Sequence, residues 1–165
     1  FEAQFFKTEK LYLAVPSDYK MNGKLQDYQI DVSDIISDTV PETINPIPLD
    51  KFSKEDFIML KKDNDTGKRA ALICKAYGFE PNVTFELDQQ MTAYNITCSD
   101  RGISFVSDTL IRSVKSTPEV TYYKLDSDNA SRQICFYRKK STDLSKALKE
   151  FIVCASCRNT TRIAM

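Results

Sequence analysis

Two groups of side chains in this 165-residue sequence are of types that do chemistry. The first is a set of cations toward the C-terminus, Arg138, Lys139, Lys140, Lys146, Lys149, Arg158 and Arg162, with Phe136 and Tyr137 beside them. Lysine and arginine attract phosphates whatever the base sequence, and neighbouring rings can stack or position a base, so the pattern points to polyanion binding with a steep salt dependence. The second group is Cys154-Ala-Ser-Cys157, whose spacing can present two thiolates to one metal ion. Structural zinc takes four nitrogen or sulfur ligands, so Cys74, Cys98 or Cys135 would have to complete the set.

The sequence has no histidine. That removes the commonest general base, the usual nitrogen donor to zinc, and any Ser-His or Cys-His nucleophile pair. Carboxylate pairs such as Glu55/Asp56 and Asp126/Asp128 fall in polar, turn-like stretches and read as solvated turn residues. No phosphate-cradling glycine loop occurs among only four glycines. A catalytic constellation is therefore missing, and a non-catalytic binding module is expected, with no cofactor unless the CxxC holds zinc.

Composition is that of a globular protein: 42% hydrophobic and 28% charged residues, with net charge zero. The charge is unevenly spread. Residues 1–65 carry 8 basic against 13 acidic side chains, and residues 131–165 carry 8 against 2. The acidic part suits a protein partner and the basic part a nucleic acid. No apolar run approaches the length of a bilayer span, and the opening FEAQFFKTEKLYLAV lacks the layout of a signal peptide, so neither a membrane span nor an uncleaved leader is expected. Oligomeric state is left open.

The elements that would position these groups come from an approximate internal echo. KKDNDTGKRAALICKAYGF followed by YNITCSDRGISFV is answered by KLDSDNASRQICFYRKKS followed by FIVCASCRNTTRIAM. Ile73-Cys74 corresponds to Ile134-Cys135, and the Ile96 to Cys98 step to Ile152 to Cys154. The spacing suggests tandem copies of one small fold. RAALICKAYGF, NVTFEL, YNITC, VTYYKL, RQICFYR and EFIVCAS are rich in β-branched and aromatic residues and read as short strands. VSDTLIRSVKSTP and STDLSKALKEF have apolar residues at helical spacing and read as short amphipathic turns.

The expected architecture is α+β, mainly short antiparallel strands in two tandem related modules with a few short helices. Residues 1–56 form an acidic extension ending in the proline-rich PETINPIPLD, 57–118 a first module, and 119–165 a second, basic module. Leu72, Ile73, Tyr77, Phe79, Phe85, Ile96 and Phe105 would build the core of the first.

GKRAALICKAYGF with YNITCSDRG, and more loosely ICFYRKKS with FIVCASCRNTTRI, resemble the FLYWCH-type zinc-finger modules, small sheets similar in outline to WRKY domains. Ile96 and Ile152 stand where that family has Trp. The resemblance implies a zinc-organised or zinc-derived sheet in a nuclear protein that binds DNA or chromatin partners. A second reading starts from CKAYGFEP, which is similar to the second strand of immunoglobulin constant domains, and from four Asn-x-Ser/Thr sequons at Asn82, Asn95, Asn129 and Asn159. It implies an extracellular glycosylated β-sandwich with Cys74/Cys98 and Cys135/Cys154 oxidised.

Overall fold

A computed structural model describes residues 1–139 and 145–160, with side chains of the last helix as far as Ala155. The protein is α+β, a mixed sheet with several helices. It forms two compact units: Lys10–Ser131, and Phe1–Glu9 with the residues from Arg132 onward. Their boundaries lie at the 9/10 and 131/132 bonds rather than at 57 and 119.

In Lys10–Ser131, strand order is β2 (Gln29–Ile30), β6 (Val120–Lys124), β1 (Glu2–Pro16, from Lys10 on), β5 (Ile103–Ser107), β3 (Asp56–Leu60) and β4 (Asn82–Leu87). β1 runs antiparallel to β5, with Leu13 opposite Phe105, and antiparallel to β6, with Leu13 opposite Tyr123. β3 is parallel to both β4 and β5, which corrects the expectation of antiparallel hairpins. The reason is that α2 (Asp65–Ala76) and α3 (Gln90–Cys98) carry the chain back between these strands. A parallel pair needs such a crossover.

Alternate residues of β1 supply two cores. Leu11, Leu13 and Val15 join Phe57, Phe105 and Tyr123 with Ala70, Ile73 and Cys74 of α2 on one face. Tyr12 and Ala14 join Val106 and Tyr122 with Ile35 of α1 (Val32–Ser37), Tyr94 of α3, and Leu110 and Ile111 of α4 (Asp108–Ile111) on the other. A sheet covered on both faces needs apolar residues at successive positions, which is why LYLAV and FIML read as continuous runs. The residues before 57 are thus no extension, since β1 lies between β5 and β6.

RAALICK is helix, not strand. Asn64 caps α2 by accepting from the Thr66 amide at 2.9 Å, Asp65 favours the positive end of the helix dipole, and Ala70, Ile73 and Cys74 are buried at helical spacing. Gly78, at φ 80°, ends it in a left-handed turn, with the Phe79 amide bonded to the Cys74 carbonyl at 3.2 Å. YNITC is also helical. Its β-branched residues are overruled by tertiary partners: the Tyr94 hydroxyl meets that of Tyr122 at 2.9 Å and the Thr97 hydroxyl that of Ser104 at 2.7 Å, both pairs buried. Of the core residues expected here, Ile73 and Phe105 are buried, but Leu72 and Phe85 are 50% and 45% exposed.

The smaller unit pairs the first part of β1 with β7 (Ser131–Arg138) and adds α5 (Lys146–Thr160). Phe6 packs on Phe136 at 4.9 Å between ring centroids, and Phe136 on Phe151 at 6.2 Å. EFIVCAS, expected as a strand, lies in α5. The internal echo is consequently not structural. Ile73-Cys74 sits on a helix and Ile134-Cys135 on a strand, so the matched letters face different environments.

Candidate functional site

In Lys10–Ser131 the three parallel strands β3, β4 and β5 all deliver their carboxyl ends to one edge of the sheet. Each is followed by a helix, so the loops 61–64, 88–89 and the Ser107 turn lead into helix N-termini there. α2 covers one sheet face and α3 the other, so the loops part above β3. Ligands of open α/β sheets bind in such a crevice, beyond the carboxyl ends where the connections diverge.

The local chemistry is specific. Gly67 allows the first turn of α2 to lie on the end of β3, for a Cβ there would stand 2.4 Å from both the Leu60 and Lys61 carbonyl oxygens. Thr66, 8% exposed, is buried in that turn. It lines, with Leu60, Ala70, Ala93 and Phe105, a packing gap that has no room for a water molecule. Across the edge, Gln90 at the start of α3 accepts from the Ser107 hydroxyl at 2.8 Å. Ser107 in turn caps α4 by accepting from the Leu110 amide at 3.2 Å. Lys61 and Asp88 close the outer side, the ammonium lying 2.9 and 3.0 Å from the two carboxylate oxygens. Its bond to Asp88 holds the Lys61 ammonium above its ordinary pKa.

Asp108, buried beneath the edge, takes the Lys10 amide at 3.2 Å and lies 3.4 Å from the Arg112 guanidinium. It is thereby committed to holding β1 and α4 in place. The Tyr12 phenol is pushed up to about 12 by burial, with the charges of Asp108 and Asp38 adding to the effect. What converges at the edge is a set of amides and hydroxyls with one ion pair. Such groups bind and orient a polar molecule. A nucleophile beside a general base, the arrangement that chemistry on a substrate would need, is not found among the described residues there.

A wider groove of about 530 Å³ runs along α2 and β4, lined by Leu72, Phe79 and Val83 with Lys68, Lys75 and Glu80. Its charged groups sit on flexible stems, whereas those of the carboxyl edge are held by caps and hydrogen bonds. The edge is therefore the better-built site.

The residues singled out in the sequence lie elsewhere. Tyr137 and Arg138 end β7 and Lys139 follows it, with Tyr137 71% exposed and Arg138 paired to Glu2. Lys146 and Lys149 are exposed on α5, Lys146 reaching Glu150 at 4.0 Å. Lys140, Arg162 and the side chains of Cys157 and Arg158 lie outside the described residues. Cys74, Cys98, Cys135 and Cys154 are free thiols, and burial pushes Cys74 up to about 12. Among the described residues no three His, Cys, Asp or Glu side chains form a metal-sized cluster.

The sequence matches the LysR substrate binding domain over residues 35–157, most of its length. The chain belongs to the LysR substrate-binding domain family. The structure agrees. It superposes on the CcmR regulatory domain of Synechocystis PCC6803, solved in complex with 2-PG, with a TM-score of 0.72 and 18% identity over 95% of this chain and 66% of that one. The C-terminal domain of a probable LysR family transcriptional regulator from Rhodococcus sp. RHA1 gives 0.64 and 13% over 93% and 66%. The effector binding domain of QuiR in complex with shikimate gives 0.61 and 14% over 97% and 66%. The chain thus spans 66% of the length of each of these structures. No curated protein sequence matches it.

Family membership overturns the FLYWCH-type and nucleic-acid-module reading, and the nuclear setting with it: Synechocystis and Rhodococcus are bacteria. The zinc-finger motif arose from treating helices α2 and α3 as strands. The immunoglobulin-like extracellular alternative falls for the same reason, since CKAYGFEP is the end of a helix and its turn. A LysR substrate-binding domain binds rather than transforms its ligand, so the chain is not an enzyme. No helix of the described residues is long and apolar enough to cross a membrane.

The sequence did carry a signal for this edge: an apolar run, FIML, then KKDNDTG with Asn64 as a cap and Gly67 inside the first turn of a helix. A strand, a capped turn and a glycine where helix meets strand are the marks of a ligand-facing loop in α/β sheets.

Proposed function

We propose that this domain is the sensing part of a LysR-type transcriptional regulator and binds a small polar effector at the carboxyl edge of β3, β4 and β5. The observation that carries this reading is the built edge itself, with Gly67 drawing the α2 N-terminus onto β3, Thr66 buried in the first turn of α2, and Gln90 of α3 accepting from Ser107 at the end of β5. Two structural neighbours carry small molecules, 2-PG in the CcmR regulatory domain and shikimate in QuiR. Nucleic acid is in this reading a partner of the whole regulator, acting as an oligomer in the bacterial cytoplasm, and is not bound by the Arg138–Lys149 cations.

The test is amide chemical-shift mapping on the 165-residue protein with 2-PG, shikimate and a panel of related small polar acids and alcohols. A binder should shift Asn64–Lys68, Gln89–Met91 and Ser107–Thr109. Thr66→Val should weaken that binder about five- to tenfold, the worth of one hydrogen bond to a buried hydroxyl. Saturable shifts confined to the α2/β4 groove or to α5 would sink the proposal.

A further inference from the structure

Ser107 and Asp108, neighbours in the chain, serve two sides of Lys10–Ser131. Ser107 belongs to the carboxyl edge, where its hydroxyl donates to Gln90 of α3 at 2.8 Å and accepts from the Leu110 amide of α4. Asp108 places a carboxylate that is 6% exposed 3.4 Å from the Arg112 guanidinium. Arg112 does not stop there. Its Nε donates to the Ile35 carbonyl at 3.2 Å, and its Nη2 lies 3.5 Å from Asp38. Ile35 is in the last turn of α1, and Asp38, left-handed at φ 57°, ends that helix with its amide on the Asp34 and Ile35 carbonyls.

A carboxylate as buried as Asp108 is costly unless its cation stays with it. The planar fork of arginine can hold that carboxylate and the groups of α1 at once in a fixed geometry. Asp108 therefore cannot shift without moving Arg112, nor Arg112 without loosening the end of α1. Lys10 makes a second link, its amide donating to Asp108 and its ammonium to Asp38, each at 3.2 Å. That link runs through a flexible, half-exposed stem. We propose that Arg112 couples the Ser107 turn of the edge to the end of α1, and so is a positioning residue for the edge that acts from outside it. Coupling is reciprocal: what loosens Ser107 is felt at α1, and the reverse. Its consequence for effector binding rests on the function proposed above, but the coupling itself does not.

Two perturbations test the link from its two ends. Ser107→Ala removes the α4 cap and the bond to Gln90, and Asp38→Gly removes the α1 carboxylate where the left-handed backbone suits glycine. Each is made in the unaltered 165-residue protein and in an Asp108→Asn/Arg112→Met background, in which both charges go together and neither is left buried alone. Amide hydrogen exchange is read at Asp38 and Thr39, at Leu110 and Ser113, and at Phe57–Leu60 as the reference for the whole unit. Ser107→Ala should speed exchange at Asp38 and Thr39 about two- to fivefold over the reference, and Asp38→Gly should do the same at Leu110 and Ser113. In the background both cross effects should vanish. Cross effects that persist there would place the link in Lys10 or the sheet and overturn the proposal. So would their absence from the unaltered protein, or a rise shared equally by Phe57–Leu60. Should the background fail to fold, Arg112→Lys replaces it, keeping the charge beside Asp108 without the planar fork, and is read in the same way. No effector enters the experiment, so loss of the coupling leaves the binding reading standing, and a set of small molecules without a binder leaves the coupling standing.

Discussion

Lys10–Ser131 and the smaller unit use the same kinds of side chain to different ends. Phe52, Phe57 and Tyr123 are fully buried in the first, under helices on both faces of the sheet, whereas Phe5, Tyr137 and Phe151 of the second are 55%, 71% and 59% exposed. Aromatic content is therefore not what creates a core. A ring becomes buried when a second layer covers it, and the larger unit has helices on both faces of its sheet, while the described residues of the smaller supply α5. Stability should accordingly reside in Lys10–Ser131, and the same unit carries the carboxyl edge of β3, β4 and β5.

The widest separation between the two should come from truncating a ring in each. Phe57→Ala, which removes a ring packed against Phe79 and Phe105, should cost about 3–5 kcal/mol in denaturant unfolding. Phe151→Ala should cost under about 1 kcal/mol, since much of that ring already meets water. Equal losses would break the comparison.

Alkaline pH offers a second probe. Burial pushes the phenols of Tyr12 and Tyr123 from 10.0 up to about 12, because the ionised form cannot be solvated in the core. The folded state thus favours the neutral phenol. Its contribution is fully present below pH 10 and is lost as pH rises from 10 toward 12, by about 2 kcal/mol for each tyrosine. Denaturant midpoints measured from pH 8 upward should stay level and then fall across that window. Tyr123→Phe should remove its share of the fall while losing the bond its hydroxyl donates to Asn22 at 2.7 Å. A level profile through pH 12 would show these phenols to be solvated after all.

The smallest effect sharpens the comparison at the site. Asn64→Ala deletes the cap of α2 and should cost about 1 kcal/mol. Its local signature is faster exchange at Thr66 and Gly67, with β5 and β6 unchanged. Faster exchange spread over the whole unit would instead mean that the α2 start is no separate element of the edge.

Much of the strand inventory was legible. β4, β6 and β7 fall where NVTFEL, VTYYKL and RQICFYR placed them. The failures share a cause. RAALICK, YNITC and EFIVCAS are short runs, and a window of that length cannot tell a buried helix from a buried strand. Once α2 and α3 were taken as strands, the parallel crossovers disappeared. The carboxyl edge, which exists only because β3, β4 and β5 point the same way, disappeared with them. The cations were conspicuous for a different reason. Charge can be counted along a chain, whereas a sheet edge built of amides, hydroxyls and one ion pair leaves no excess of any residue type.

By itself, the sequence determined that no histidine-based chemistry is available and where the apolar runs lie. Those are properties of residues and their near neighbours, governed by side-chain chemistry and local backbone preference. Strand direction, the face each helix covers, and the meeting of Gln90 with Ser107 were decided by tertiary structure. They depend on contacts between residues tens of positions apart, where burial against a partner outweighs the preference of any single residue.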